Sequence, residues 1–301
     1  MGCSQRALVM RASSTVKGIA LLQVLLISAI ITVLALFLTL TAQQQIAIAQ
    51  LASDKATAEL HLRSTESEVL FNLLTKEEMT ENADLVLPDG YNFYNAPFKV
   101  GNYTQVRLQD VSGLISIHYP DELLLHKILN NLGASNSQAS TIVDSLLDWQ
   151  DNDNLTRLNG AESGDYELGP RNRLISSYAE LKLIKGMTPD LESELLPLLT
   201  VVRPKYFNPL VAPKAILQAY LNRDVSDILA LRGEGLLTRA EFSQLTGEYE
   251  KEGLIFSNSS SYLLTFAVEY NGVRLEKQRR IKLDPYAAST KPVIDDIESI
   301  W

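Results

Sequence analysis

The residues best equipped for chemistry in this chain are acidic and close together. Asp148, Asp151 and Asp153 are interleaved with Gln150, Asn152 and Asn154, and Glu162 and Asp165 follow shortly after Asn159-Gly160. Hard divalent cations such as Ca²⁺ take six to eight oxygens from carboxylates, amides and carbonyls. The Asp-x-Asp spacing with a later Glu meets that demand, so Asp148, Asp151, Asp153, Glu162 and Asp165 are candidate calcium ligands. Gly160 and Glu162 stand at the wrong offsets for an EF-hand. The competing reading is a solvated acidic turn at the end of a helix, and the sequence alone leaves both open. Cys3 is the single cysteine, so no intramolecular disulfide can form and a metal staple would be useful in this loop.

No catalytic set accompanies the cluster. The three histidines, His61, His118 and His126, have no motif around them, and His61 is expected on the exposed side of a long helix. There is no Gly-rich phosphate loop and no Gly-x-Ser-x-Gly. The chain is therefore not read as an enzyme. Its formal net charge of -9 argues against nucleic acid, whose phosphates need clustered Lys and Arg.

The elements that must position the cluster are mostly helical. Ser137 to Trp149 is an amphipathic helix delivering Asp148 at its C-terminal end. Asp121 to Asn131 precedes it, with Pro120 ahead and Gly133 behind. Tyr178 to Ile184 follows, stopped by Gly186. Thr188-Pro189 starts another helix, as N-cap and first helical residue. Pro213 to Leu221, Val225 to Leu231 before Gly233, and Thr238 to Leu245 complete the block. The segments from Gly113 and from Tyr206 echo one another as helix-hairpin-helix-like units, read as packing modules and not as DNA binders.

Strands flank the block. Tyr103 to Leu108 alternates, and Val111 to Ile117 is expected as a second strand. Ser261 to Tyr270 and Val273 to Leu283 flank Asn271-Gly272, a type I′ hairpin signal, with Leu264, Phe266, Val268 and Tyr270 on one face.

At the N-terminus, no Asp, Glu, Lys or Arg occurs between Lys17 and Asp54. Ile19 to Leu40, wound as a helix at ~1.5 Å per residue, spans about 33 Å, the thickness of a hydrocarbon core. A cleaved secretory signal would be shorter, with a small-x-small site, and Leu40 at the -3 position fits that poorly. The preceding Arg6, Arg11 and Lys17 belong inside by the positive-inside rule. The remainder, carrying about -12 once those three cations are set aside, belongs outside. Helix-forming residues continue without Gly or Pro to about Leu74, so one helix of ~55 residues runs from lipid into a soluble domain.

Lys17-Gly18-Ile19-Ala20-Leu21-Leu22-Gln23 resembles the processing site of type IV pilin-like proteins. The resemblance implies cleavage by prepilin peptidase after Gly18, leaving Ile19 as the mature N-terminus. Gln23 stands at the fifth mature position, where most such proteins carry Glu. It keeps the shape of Glu but cannot ionise, and so cannot form an ion pair in the bilayer.

Taken with Leu146-Leu147-Asp148-Trp149-Gln150-Asp151-Asn152-Asp153, Asn159-Gly160-Ala161-Glu162, Asn172-Arg173-Leu174 and Glu180-Leu181-Lys182-Leu183-Ile184-Lys185-Gly186-Met187, the chain resembles the minor pseudopilin K family of type II secretion. That resemblance implies an α+β, type IV pilin-like fold, with a long N-terminal helix packed on an antiparallel sheet and a large inserted all-helical domain. It divides the chain into a leader (1–18), a transmembrane part (19–41), a pilin-like periplasmic domain (42–125 and 251–301) and the insertion (126–250). It also implies calcium in the insertion, I- and J-type minor pseudopilins as partners at the pseudopilus tip, and a single-pass place in a bacterial inner membrane. Within this family a non-Glu residue such as Gln23 is common. His118-Tyr119-Pro120 and Phe207-Asn208-Pro209 depart from the segments usual before the two helical units. The alternatives are a minor pilin-like subunit of another type IV pilus-related system and an unrelated single-pass periplasmic binding protein.

Overall fold

The computed structural model describes residues 16–76, 86–167, 169–284 and 291–300. Most of the leader, with Cys3, Arg6 and Arg11, lies outside them. In chain order the elements are α1 (Val16–Thr75), β1 (Phe98–Val100), β2 (Thr104–Asp110), β3 (Ile115–Ser116), α2 (Glu122–Asn131), α3 (Asn136–Gln150), α4 (Pro189–Leu195) and β4 (Leu199–Thr200). They continue with α5 (Lys214–Leu221), α6 (Ser226–Gly233), α7 (Arg239–Thr246), β5 (Ser261–Tyr270), β6 (Val273–Leu283) and β7 (Val293–Ile300). The chain forms two units, residues 1–58 and 59–301.

The first unit is the N-terminal part of α1, and the Gly18–Ile19 junction falls in its first turns. From Ile19 to Leu40 its large apolar side chains are exposed, and the helix is long and apolar enough to cross a membrane. The hydroxyls of Ser28, Thr32, Thr39 and Thr41 donate to the carbonyls of Leu25, Ser28, Ala35 and Phe37 at 2.7–2.9 Å. Each is satisfied within the helix, which is why four hydroxyls do not spoil an apolar span. Gln23 is exposed and its amide makes no hydrogen bond among the described residues.

In the second unit the rest of α1 lies on a five-stranded antiparallel sheet of order β1-β2-β5-β6-β7. Alternation puts Val106, Leu108, Leu264, Phe266 and Val268 on the buried face. Thr65 of α1 donates to Thr104 of β2 at 3.0 Å, and Asn72 donates to the Tyr91 hydroxyl at 2.9 Å. His61 does not lie on an open surface as expected: it is half-buried, with its ring 4.7 Å from Tyr103 and 5.5 Å from Tyr270. The Asn271-Gly272 turn has φ of 46° and 81°, the left-handed pair a type I′ hairpin requires. The short β1 and the terminal β7 carry no alternation strong enough to have been expected from the sequence.

Between β2 and β5 the chain is largely helical. Ser135, Thr188 and Thr238 cap α3, α4 and α7 by accepting backbone N–H bonds from Gln138, Leu191 and Glu241. The core of this part joins Ile117, Leu125, Ile128, Leu129, Ile142, Leu146, Trp149, Leu181, Ile184 and Ile216. A second cluster holds Leu217, Val225, Ile228, Phe242, Leu254 and Phe256. Three local expectations are corrected. The expected strand Val111 to Ile117 is a 3-10 turn at Val111–Gly113 followed by the two-residue β3, which pairs in parallel with β4. The cause is Asp110, whose carboxylate caps the turn at Ser112. Tyr178–Leu183 is 3-10 helix, tightened by a Ser177/Glu180 capping box. The helix expected to stop at Leu231, before Gly233, runs on through it: α6 ends at Gly233.

Asp110 also fastens both ends of the insertion. Its buried carboxylate accepts from the N–H and hydroxyl of Ser112, where the chain leaves the sheet, at 2.8 and 2.7 Å. It accepts from the N–H and hydroxyl of Ser259, where the chain returns, both at 2.6 Å. Burial pushes this carboxyl up from its ordinary value while those four bonds pull it down.

Candidate metal centre

The acidic cluster is built on the end of α3. Its core-facing residues, Ala139, Ile142, Val143, Leu146 and Trp149, hold the helix against α2 and the 3-10 helix. With that face fixed, Asp148 is fully buried, and its carboxylate organises the loop that follows. Asp148 Oδ2 accepts the backbone N–H of Arg157 at 3.1 Å and of Ala161 at 3.0 Å. One turn earlier, Asp144 Oδ2 accepts the N–H and the side-chain amide of Asn159, both at 3.0 Å. The loop is thereby folded back along α3. Gly160 is required at the return, because a Cβ there would coincide with the Asp148 carboxylate.

One carboxylate oxygen from each of Asp148, Asp151 and Glu162 lies within 4.8 Å of the others. Opposed oxygens in a Ca²⁺ shell stand about 4.8 Å apart at ~2.4 Å per bond, so the three can face one ion. Glu162 is 4% exposed, and neither of its carboxylate oxygens has a hydrogen-bond partner. The adjacent Ser163 N–H, too poorly placed to count as a hydrogen bond, is the last of the influences on this carboxyl and the one that lowers it. Burial first, then the charges of Asp148, Asp151 and Asp153, push the Glu162 carboxyl up from its ordinary value. Oδ1 of Asp151 is likewise buried and unbonded. Unsatisfied buried carboxylate oxygens are costly and native proteins rarely tolerate them. An all-carboxylate donor set with orphaned oxygens suits a hard divalent cation.

The other two expected ligands stand apart. Asp153 is exposed and accepts the Leu155 N–H at 2.8 Å in a local turn. Asp165 is exposed and pairs with Lys185 at 2.7 Å, which holds its carboxyl below the usual range. It also accepts the Glu162 N–H at 3.2 Å, so it positions the residue that enters the pocket.

Sequence reasoning passed over Arg157. Its guanidinium bridges Asp148 and Asp151, each at 2.5 Å, and the bond to Asp151, then that to Asp148, raises its pKa further. The available signal was plain: Arg157 is the only cation between Asp148 and Asp165. The other motif residues support the loop from behind. Trp149 Nε1 donates to Glu180 at 3.3 Å, and its ring meets Tyr166 edge-on at 5.0 Å. Asn172, in a left-handed conformation, donates its N–H to the Trp149 carbonyl at 3.0 Å. His118 and His126 bond to the Ile175 carbonyl and to Ser140. Both read as structural residues.

A long helix laid on an antiparallel sheet, with helices inserted between two neighbouring strands, defines a pilin-like α+β protein with a helical insertion. The fold is shared with a chain of the crystal structure of the GspK-GspI-GspJ complex from the enterotoxigenic Escherichia coli Type 2 Secretion System. The match has a TM-score of 0.56 at 16% identity and covers 84% of this chain and 99% of that one. Residues 109–204 match the family model of Type II secretion system (T2SS), protein K, so this stretch carries the protein K signature that the sequence motifs implied. Type II secretion system protein K of Pectobacterium carotovorum is 34% identical over 91 residues, 29% of this chain and 27% of the relative. That of Dickeya chrysanthemi is 38% identical over 72 residues, 24% of this chain and 20% of the relative. The chain thus spans about a quarter of the length of each. A candidate protein K of Escherichia coli K12 aligns over 95% of this chain and 91% of its own length at 23% identity.

Proposed function

We propose that the protein is a structural minor pseudopilin of a type II secretion system, placed at the pseudopilus tip with I- and J-type minor pseudopilins. The observation that carries this reading is α1. One continuous helix of 60 residues is apolar and exposed in its first part and docked on a sheet in its last. A basic residue and Gly18 stand just before the apolar run. Prepilin peptidase cleaves after Gly18, and Ile19 becomes the N-terminus. The helix spans the inner membrane once, with the leader in the cytoplasm and the remaining bulk in the periplasm. Gln23, exposed and without a hydrogen bond, offers an uncharged polar group to a neighbouring helix at the depth where pilin-like proteins usually present a carboxylate. The helical insertion occupies space that a further subunit would need, which suits a tip position. The role is assembly and not catalysis.

Calcium belongs to the same reading. Asp148, Asp151 and Glu162 would hold the ion, which would supply positive charge to buried carboxylates and staple the loop to α3. Asp165 orients Glu162, and Asp144 and Gly160 keep the loop folded back.

The test is mass spectrometry of the full-length protein expressed with and without prepilin peptidase. Loss of residues 1–18 only when the peptidase is present is expected, and an intact leader in its presence would overturn the processing step. Co-purification with the I- and J-type proteins tests the assembly; a chain that purifies alone under conditions where those two associate would overturn it.

A further inference from the structure

We propose that Arg157 is the resident counter-ion of the ion-free pocket, and that Ca²⁺ must displace its guanidinium to bind. The inference rests on the calcium reading given above but concerns a residue that is not a ligand. Two of the three carboxylates that would face the ion, Asp148 and Asp151, are the two that Arg157 bridges. A guanidinium bonded to both carboxylates occupies the place of the cation they would share, and two positive groups cannot stay that close in a buried site. The third carboxylate, Glu162, receives nothing from Arg157 and has both oxygens buried and unbonded. The ion-free pocket therefore holds three carboxylates against one guanidinium, a formal charge of -2. A divalent ion in place of the guanidinium leaves -1.

The geometry gives the side chain somewhere to go. The Arg157 side chain is 38% exposed, whereas that of Asp148 is fully buried. Its backbone does not depend on the guanidinium, because the Arg157 N–H is bonded separately to Asp148 Oδ2, beside the N–H of Ala161. The side chain can swing to solvent while the loop stays clamped. Both bonds come from one nitrogen, Nη1, so a single swing of the end of the side chain frees both carboxylates at once. Arg157 then has two effects. It offsets one of the two charges of Asp148 and Asp151 when no ion is bound, and it lowers affinity for Ca²⁺ by competing for the same oxygens.

The experiment uses full-length protein in detergent micelles, wild type and Arg157→Gln, titrated calorimetrically with CaCl₂. In parallel, Arg157 in the wild type is labelled with phenylglyoxal and quantified by peptide mass spectrometry. Labelling of Arg157 is expected to rise on addition of saturating Ca²⁺, with other arginines unchanged. R157Q is expected to bind Ca²⁺ on the order of tenfold more tightly and to melt at a lower temperature than wild type in EDTA. Measurable Ca²⁺ binding with no rise in labelling would overturn the displacement of Arg157 while leaving the calcium site intact. No Ca²⁺ binding by wild type or R157Q would overturn the calcium reading itself, and this inference with it. Should R157Q fail to fold in EDTA, the labelling of wild type decides alone: a rise at Arg157 on adding Ca²⁺ supports displacement, and no rise refutes it.

Discussion

Glu66, on the sheet-docked part of α1, accepts two hydrogen bonds from the Lys277 ammonium of β6, at 3.1 and 2.9 Å, with both side chains less than 10% exposed. Arg279, two residues along the same face, also pairs with Glu66. One carboxylate is therefore shared by two cations on the inner face of the sheet, and it ties together residues 211 positions apart. Replacing such a group by a neutral one takes from two nearly buried cations the carboxylate they share, and breaking a buried pair from one side costs more than the intact pair contributes. Glu66→Ala is expected to lower stability by about 3–5 kcal/mol, read by thermal unfolding of the full-length protein in detergent. A second change, Lys277→Met, should restore part of the loss. If E66A melts with wild type, this contact does not hold α1 on the sheet.

A methyl group at position 160 should disrupt the acidic loop without touching the rest of the core. The Cβ would meet the Asp148 carboxylate, which is itself pinned by two backbone N–H groups. Gly160→Ala is expected to cost about 1–3 kcal/mol by forcing that carboxylate aside, and to increase proteolytic cleavage between residues 151 and 165. Unchanged cleavage would mean the loop repacks freely.

Glu162 is expected to trade stability for ion binding. Its carboxylate is buried, unbonded and surrounded by other acids. In EDTA at neutral pH, Glu162→Gln should be more stable than wild type by on the order of 1 kcal/mol, because an ionised group leaves a site that opposes its charge. In Ca²⁺ the order should reverse: a ligand at a hundred times its Kd adds about 2.7 kcal/mol to the wild type only. Paired melting curves in EDTA and CaCl₂ read both effects, and a Ca²⁺ shift retained in E162Q would remove Glu162 from the ligand set.

Alkaline titration should single out Tyr220, on α5. Its hydroxyl donates to Glu248 at 3.2 Å, and burial, then the Glu248 charge and that bond, push it up to about 12. The folded state keeps this proton after the unfolded chain has lost it. The stabilising contribution of Tyr220 is therefore complete below pH 10 and disappears as pH rises toward 12. The difference in phenolate absorbance between wild type and Tyr220→Phe should appear near pH 12, and a difference near pH 10 would show an unperturbed hydroxyl.

What could be read from the sequence was whatever depends on neighbours along the chain. The uncharged run from Ile19 to Leu40, continued by helix formers, determines α1, because backbone hydrogen bonding within a helix is local and an apolar stretch of that length suits a bilayer. Asn271-Gly272 determines the β5–β6 hairpin, and Thr188-Pro189 the start of α4, each through one backbone conformation or one capping bond. The region of the metal centre was also legible, since five acids crowd one loop. Which of them converge was not. Asp148, Asp151 and Glu162 meet because Asp148 folds the loop back through the N–H groups of residues 157 and 161, while Asp153 and Asp165 turn to local partners. Arg157 carries no motif, and its role exists only once that return places it over two carboxylates. Lys277 reads as a surface lysine on a hairpin strand until the register opposite Phe266 puts it on the buried face, beneath Glu66. Contacts between residues distant in the chain follow from strand register and loop closure, and those are settled only when the tertiary structure forms.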